Sequence, residues 1–161
     1  MRNFINIREL AGRTKIGVRR LRYIFDNKIL PDEAWEIFSD EPGTPRSFDE
    51  QTGISIAAAA YLLEAGLPRE LVRKLMYAAW ESFYSYDNKF SLSFLMQDAL
   101  EKSKKSILEF GDASHIRLIS SRKTSDWYWF EGKFRIDENY APKVVIQVHI
   151  DKIRKSVCPE Q

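Results

Sequence analysis

The sequence contains one cysteine, Cys158, and only two histidines, His115 and His149. A single thiol cannot form an intramolecular disulfide, and the chain has no cluster of cysteines and histidines of the kind that structural zinc sites use. It also has no Gly-rich phosphate loop, no HExxH motif and no Ser/His/Asp spacing. We therefore expect no enzyme, no catalytic residue, no cofactor and no metal site. His149 is expected to be solvated on the polar side of a strand, and Cys158 to lie in a C-terminal tail.

Long apolar runs are also absent. The longest, residues 56–63, is far shorter than the roughly 20 residues that cross a bilayer, and the first ten residues lack the pattern of a secretory signal. With 44% hydrophobic and 30% charged residues, the 161-residue chain has the composition of one ordinary folded domain or two small ones. We expect a cytoplasmic protein with no membrane partner.

The net charge is only +2, which by itself does not indicate a nucleic-acid binder. The charges are nevertheless unevenly distributed along the chain. Residues 1–28 carry eight basic and two acidic side chains, an excess of six positive charges, whereas residues 32–41 carry five acids and no base. Such asymmetry is informative about partners, because a local cationic surface attracts anionic ones.

The spacing of apolar residues predicts an α+β fold, with helices and a hairpin first and a small antiparallel sheet afterwards. Asn6 and Glu9 form a capping-box-like pair at the start of a first helix. Gly66 is placed to end a buried helix, and Pro68 to open the next one. The remaining predicted elements are a second helix at 17–27, a hairpin at 30–49, helices at 51–65, 68–83 and 91–110, strands at 115–119, 126–130 and 144–150, and a short closing helix.

The second helix is the most informative of these elements. Its apolar residues, Val18, Leu21, Ile24 and Phe25, fall on one side, while its cations lie on or near the other. Between residues 13 and 23 there are five cations and no acid. A solvated amphipathic helix would account for this pattern, and so would a recognition helix that faces phosphates. The outline of a helix-turn-helix formed by the first two helices favours recognition.

Four pieces of the chain follow one another at compatible spacing: INIRELAGRT, GVRRLRYIFDNKILP, RSFDEQT and EAGLPRELVRKLM. In that order they resemble the first helix, the second helix, the segment that ends the wing and the helix–Gly–helix junction of the DNA-binding domain of the MerR family of winged-helix regulators. The resemblance covers residues of about 3–76. The resemblance implies a winged helix-turn-helix that binds double-stranded DNA as a homodimer, on a pseudo-palindromic site, and regulates transcription. Lys15 stands where the family usually has glycine, so a left-handed backbone there would cost about 1 kcal/mol.

Both the charge pattern and the resemblance indicate the same DNA-contacting side chains. Arginine is suited to the task because its planar fork donates two hydrogen bonds to guanine or to a phosphate. The predicted contacts are Arg19 and Arg20 to bases or phosphates, Lys15 and Arg22 to phosphates, Tyr23 through its hydroxyl, and Arg46 from the wing. Two other interpretations stay open: an architectural DNA-binding protein similar to the excisionases, and a protein-interaction module built on a helix-turn-helix.

We expect three segments: a MerR-like DNA-binding domain at 1–85, a connecting and dimerisation helix at 90–110, and a β-rich dimerisation or sensing module at 111–161. In the last segment, DWYWF predicts a strand. Its Trp127 and Trp129 either fill the core of the small sheet or line a pocket for a small-molecule effector. The expected partners are therefore DNA, a second copy of the chain and such an effector, and the expected location is the nucleoid.

Overall fold

The first helix, α1 (Ile7–Thr14), begins directly after Asn6, the first residue of the predicted capping pair. The Asn6 Oδ1 atom accepts a hydrogen bond from the Glu9 backbone N–H at 2.9 Å, and Asn6 Nδ2 donates to Glu9 Oε1 at 3.0 Å. The helix ends at Thr14 and is followed by the C-cap residue Lys15, whose backbone is left-handed with φ of 63° and whose N–H donates to the Ala11 carbonyl. The turn after α1 therefore has left-handed backbone at Lys15, the position where the MerR family usually has glycine.

The computed structural model of the protein describes residues 4–32, 47–82, 105–120, 129–131 and 135–159. The described residues form α-helices as well as two antiparallel sheets, so the α+β class is confirmed. Contacts divide the chain into two units, one made of residues 1–73 and 152–161 and the other of residues 74–151.

A two-stranded antiparallel sheet joins the N-terminus of the first unit to the segment before its longest helix. Strand β1 (Phe4–Asn6) pairs with β2 (Ser47–Asp49), and Ile5 lies opposite Phe48. The sequence predicted a hairpin over 30–49 instead. Its tip and Arg46 lie outside the described residues, whereas its last three residues pair with β1. The sequence did not predict β1, because three residues are too few to show the alternation of a strand.

Helix α2 (Val18–Asp26) packs against α1 and α3 (Glu50–Glu64). Its inward residues Leu21 and Ile24 are completely buried, as are Leu10 of α1 and Phe48 of β2. Burying a leucine or isoleucine side chain contributes about 1.5 to 3 kcal/mol. The apolar side of α2 is therefore held firmly by the core of the first unit.

The helix–glycine–helix junction also forms as predicted. Asp49 caps α3 by accepting a hydrogen bond from the Thr52 backbone N–H at 2.9 Å. Gly66 ends the helix with φ of 96°, a conformation that costs glycine little. Helix α4 (Arg69–Ser82) follows one residue after Pro68.

The second unit contains a five-stranded antiparallel sheet. Its described strands are β3 (Ser106–Phe110), β4 (His115–Ser120), β5 (Phe130–Glu131), β6 (Arg135–Ile136) and β7 (Ile146–His149). They lie in the order β6–β5–β4–β3–β7, with β4 in the middle. The predicted strand at 115–119 is confirmed, and the one at 144–150 is shorter than expected, because Val144 and Val145 are exposed and lie before β7.

The predicted helix at 91–110 is wrong at its C-terminal end. Residues 106–110 form β3, and all five of them are buried, including Glu109. A strand that is buried on both faces shows no alternation, so its apolar residues could be fitted to a helical stripe. The rest of the predicted connecting helix, up to residue 104, lies outside the described residues.

The last helix, α5 (Ile150–Val157), continues into residues that belong to the first unit. Arg13 of α1 donates a hydrogen bond from Nη1 to the Val157 carbonyl at 2.8 Å, and Val157 is completely buried. After the sheet the chain returns to its N-terminal unit, and residues 152–161 group with residues 1–73. Cys158 is buried as well, so it does not lie in a free tail as the sequence predicted. Its burial, and to a smaller extent the nearby Glu50, raises the pKa of its thiol to about 12.

Candidate functional site

Helix α2 presents most of the predicted DNA-contacting residues on its outer side. Arg19, Arg20, Arg22 and Tyr23 are exposed, and so is Lys15 in the turn before the helix. Arg46 lies outside the described residues. The buried side of α2 fixes its rotation about the helix axis, so these side chains project to solvent together.

The turn between α1 and α2 is held by two polar side chains. Thr14 donates from Oγ1 to the Leu10 carbonyl at 2.7 Å and accepts from the Ile16 backbone N–H at 3.3 Å. Tyr61 of α3 donates its hydroxyl to the Thr14 carbonyl at 3.0 Å. These bonds pin the turn to the core and leave Lys15 pointing outward.

The N-terminus of α2 has the local chemistry of an anion-binding helix end. Gly17 is the N-cap residue and supplies no side-chain acceptor, and the first turn of the helix carries no acid. The first N–H groups of a helix have no intrahelical partner and lie at the positive end of its dipole. In α2 the Arg20 N–H already donates to the Gly17 carbonyl at 3.0 Å, so an anion at this end would accept from the N–H groups that precede it.

A groove of about 590 Å³ runs beside α2, lined by Gly17, Arg19, Arg20, Tyr23, Leu63 and Arg69. Arg69, at the start of α4, donates from Nη1 to the Tyr23 hydroxyl at 3.4 Å and to Asn27 Oδ1 at 3.1 Å. Sequence reasoning missed Arg69 because it follows α2 by more than 40 residues, and nothing local in the sequence links the two. The only available signal was its place just after the helix–glycine–helix junction.

Of the two tryptophans predicted for a ligand pocket, Trp127 lies outside the described residues. Trp129 is only 6% exposed. The Arg117 guanidinium lies 4.5 Å from the centre of the Trp129 ring, and the Tyr140 ring meets it edge-on at 5.3 Å. Trp129 therefore packs within the sheet unit, and its ligand-binding role stays a prediction.

A polar triad around the buried Glu109 crosses the sheet. Glu109 of β3 lies opposite Arg117 of β4 and opposite Gln147 of β7. Arg117 donates to Glu109 Oε1 from Nε at 2.9 Å and from Nη2 at 2.6 Å, and Gln147 donates to Glu109 Oε2 at 2.7 Å. Both carboxylate oxygens are thus engaged, and this is the condition under which a buried charge is tolerated.

His115 lies at the centre of a polar cluster, and no sequence pattern singles it out. Its Nδ1 atom is 3.0 Å from Asp112 Oδ1, and its Nε2 atom is 3.1 Å from Asp137 Oδ2 and 4.0 Å from Glu131 Oε2. The Tyr140 ring stacks on the imidazole with the two rings 3.7 Å apart and nearly parallel, and its hydroxyl donates to Asp112 Oδ2 at 3.1 Å. The cluster could not be read from the sequence because its members lie in three separate loops or strand ends.

The cluster perturbs the protonation of its members. Burial lowers the pKa of His115, but the hydrogen bonds with Asp112 and Asp137 and the charges of Asp112 and Glu131 outweigh it, so that its pKa is raised. Burial raises the pKa of Asp112, but the hydrogen bonds from His115, the Ser114 N–H and Tyr140 outweigh it and lower its pKa. Both shifts favour an imidazolium paired with a carboxylate.

No family model, curated protein or solved structure matches this chain. The resemblance to the MerR family accordingly stays a prediction from the residues. Within the part of the chain that the structure describes, no helix is long and apolar enough to cross a membrane.

Proposed function

We propose that the protein is a sequence-specific DNA-binding transcriptional regulator of the MerR-like, winged helix-turn-helix type. The observation that carries the proposal is the division of α2 into two sides. Leu21 and Ile24 are completely buried, while Arg19, Arg20 and Arg22 are exposed. A short helix anchored on one side and cationic on the other is the form in which proteins present side chains to the major groove.

In this proposal α1, the turn at Lys15 and α2 act as the helix-turn-helix. Arg19 and Arg20 occupy the N-terminal part of α2, which in such motifs reaches base edges, while Lys15 and Arg22 contact flanking phosphates. The wing of the proposal is the hairpin predicted at 30–49, with Arg46 as its contact, and Arg46 lies outside the described residues. The turn is anchored by Thr14 and Tyr61, which favours a recognition helix with a fixed orientation.

Arg69 extends the proposed interface beyond α2. Its guanidinium donates a hydrogen bond to the Tyr23 hydroxyl oxygen. The hydroxyl can therefore donate its own proton to a different acceptor, such as a phosphate oxygen. Arg20 lies 3.7 Å from Glu64, and both side chains are more than 40% exposed. Such exposed ion pairs contribute only about 0 to 1 kcal/mol to the stability of the folded protein. Arg20 can therefore leave Glu64 and contact DNA at little cost in free energy.

The protein would act as a homodimer that places two copies of α2 on a pseudo-palindromic site. Two recognition helices related by a two-fold axis read half-sites about one helical turn apart, roughly 34 Å. The sheet unit would serve dimerisation or the sensing of an effector. This assignment gives each segment of the chain a role in one regulator.

The experiment that tests the proposal is selection of bound sequences from a random pool of duplex DNA, using the full-length protein. We expect enrichment of one sequence with two-fold symmetry. Tandem, evenly spaced sites would favour an architectural protein instead. Absence of retardation of any DNA at low salt would contradict the proposal and favour a protein-interaction module.

A further inference from the structure

Three side chains of the sheet unit direct potential metal-ligand atoms to one point. One atom each from His115, Glu131 and Asp137 lies within 4.8 Å of the other two. The His115 imidazole is only 13% exposed, while the two carboxylates are partly exposed and so accessible to an ion from solvent. The set combines one imidazole nitrogen with two carboxylate oxygens.

The distances agree with coordination of a single small ion. Ligand atoms about 2.1 Å from a metal ion lie roughly 3.0 to 3.4 Å from one another in octahedral or tetrahedral geometry. The His115 Nε2–Asp137 Oδ2 distance of 3.1 Å already falls in this range. The Glu131 oxygen lies 4.0 Å from Nε2 and within 4.8 Å of the Asp137 ligand atom, so it must approach both before all three can bind one ion, and its side chain is partly exposed.

The other nitrogen of His115 is held in the manner of a metal-bound histidine. Metal-ligating histidines commonly donate their second ring N–H to a carboxylate, which fixes the tautomer and the ring orientation. Asp112 fills this role at Nδ1, and is itself fixed by the backbone N–H groups of Ser114 and His115 at 2.7 and 2.9 Å. The Tyr140 ring, stacked on the imidazole, prevents it from turning. Nε2 is thereby aimed at Glu131 and Asp137.

The cluster itself contains more acids than bases. The carboxylates of Asp112, Glu131 and Asp137 carry three negative charges around one imidazole, so these four residues keep a net charge of −2 even when the imidazole is protonated. A divalent ion at Nε2 would replace the proton between His115 and Asp137, releasing it to solvent, and would bring two positive charges. An imidazole ligand favours first-row transition ions over Mg²⁺ and Ca²⁺, which prefer oxygen ligands alone.

We propose that His115, Glu131 and Asp137 form a binding site for one divalent first-row transition metal ion of the Zn²⁺ or Mn²⁺ class, with Asp112 as the positioning residue. The proposal stands independently of the proposed DNA binding. It replaces the sequence-based expectation of no metal site, which rested on the scarcity of cysteine and histidine. The proposed site needs only three ligand residues, and two of them are acids. Acids are common along the chain, so their positions in the sequence do not indicate a metal site.

The test is isothermal titration of the full-length protein with ZnCl₂, and separately with MnCl₂. We expect saturable binding of one ion per chain that excess Mg²⁺ or Ca²⁺ does not abolish. His115→Gln and Asp137→Asn should each weaken the binding more than about tenfold. The matched controls are His149→Gln, which removes the other histidine, and Cys158→Ser, which removes the thiol; both should bind as the wild type does.

Circular dichroism of each variant establishes whether it has folded. If His115→Gln does not fold, Asp137→Asn decides the matter, because asparagine preserves the size and shape of the side chain. The proposal is overturned if the wild type shows no saturable binding of either ion, or if folded Asp137→Asn binds as tightly as the wild type. Loss of binding in His149→Gln or Cys158→Ser, with retention in Asp137→Asn, would overturn it as well.

Discussion

Arg20 and Lys15 have different surroundings although both are exposed cations near the start of α2. Arg20 lies within the helix, lines the groove and pairs loosely with Glu64. Lys15 lies in the turn, in a left-handed conformation before the helix begins. In the proposed complex, Arg20 is therefore placed to read a base, whereas Lys15 is placed to neutralise a phosphate.

Replacing each of these residues with alanine separates the two roles. Arg20→Ala should weaken binding to the selected site by about 5- to 150-fold, the equivalent of 1 to 3 kcal/mol for a base contact, and weaken binding to random DNA much less. Lys15→Ala should weaken both by a similar factor. Fluorescence anisotropy with both DNAs measures the ratio, and Lys155→Ala on α5 controls for the loss of one positive charge. Equal losses for Arg20→Ala on both DNAs would remove its base-reading role.

The buried thiol of Cys158 makes stability depend on pH in the alkaline range. Its pKa is raised from 9.0 to about 12 in the folded protein, first by burial and then by the charge of Glu50. The unfolded chain therefore loses this proton first as the pH rises, and the free energy of unfolding should fall between pH 9 and pH 12. Below pH 9 the contribution is fully present.

Urea unfolding at a series of pH values measures this effect. The difference between wild type and Cys158→Ser isolates the thiol, since serine does not titrate in this range while the tyrosines and lysines contribute to both. We also expect iodoacetamide to modify Cys158 slowly in the folded protein and quickly in urea. A thiol that reacts equally fast in both states would contradict the burial.

At the scale of elements, α2 depends on its buried side for its position. Leu21→Ala should lower the free energy of unfolding by about 2 to 5 kcal/mol, because the side chain is completely buried and its removal leaves a cavity. The neighbouring Arg22→Ala changes only an exposed side chain and should alter stability by less than about 0.5 kcal/mol. Urea unfolding of the two variants gives the comparison. Similar stabilities would mean that α2 is not anchored as described.

The conformation of the loop between β3 and β4 requires a glycine at position 111. A Cβ atom on Gly111 would overlap the Tyr140 hydroxyl, so Gly111→Ala must displace the ring that stacks on His115. We expect a loss of about 1 to 3 kcal/mol from the forced shift. Gly12, within α1, meets no atom within 4 Å of an added Cβ.

Gly12→Ala is therefore the matched substitution, and it should raise the free energy of unfolding by about 0.5 to 1 kcal/mol, because alanine loses less backbone entropy in a helix. Thermal unfolding of both variants measures the opposite signs. A Gly111→Ala variant as stable as the wild type would show that Tyr140 does not need this position to be glycine.

At the scale of the whole molecule, the small net charge of +2 conceals a strongly cationic first segment. If about five phosphates are contacted per subunit, the logarithm of the association constant should fall by roughly 4 to 5 for each tenfold increase in salt concentration. Anisotropy titrations between 50 and 300 mM NaCl measure this slope. An affinity that does not change with salt would count against phosphate contacts.

The arrangement of the chain in two units also appears only at this scale. The first unit is built from residues 1–73 and 152–161, with the sheet unit between them in sequence. Arg13 and Val157, which are 144 positions apart, are joined by a hydrogen bond. Periodicity along the chain cannot indicate such a contact, since it reports only on residues a few positions apart.

The sequence by itself determined the features that depend on local interactions. The capping pair of Asn6 and Glu9, the bounds of α2 and the end of α3 at Gly66 each follow from hydrogen bonds or backbone preferences within one turn of helix. The tertiary structure decided the features that depend on distant residues: the pairing of β1 with β2, the identity of 106–110 as a strand buried on both faces, and the cluster around His115. These features depend on which distant segments pack together when the chain folds. A strand buried on both faces and a set of scattered acids show no periodicity in the sequence, so neither can be predicted from it.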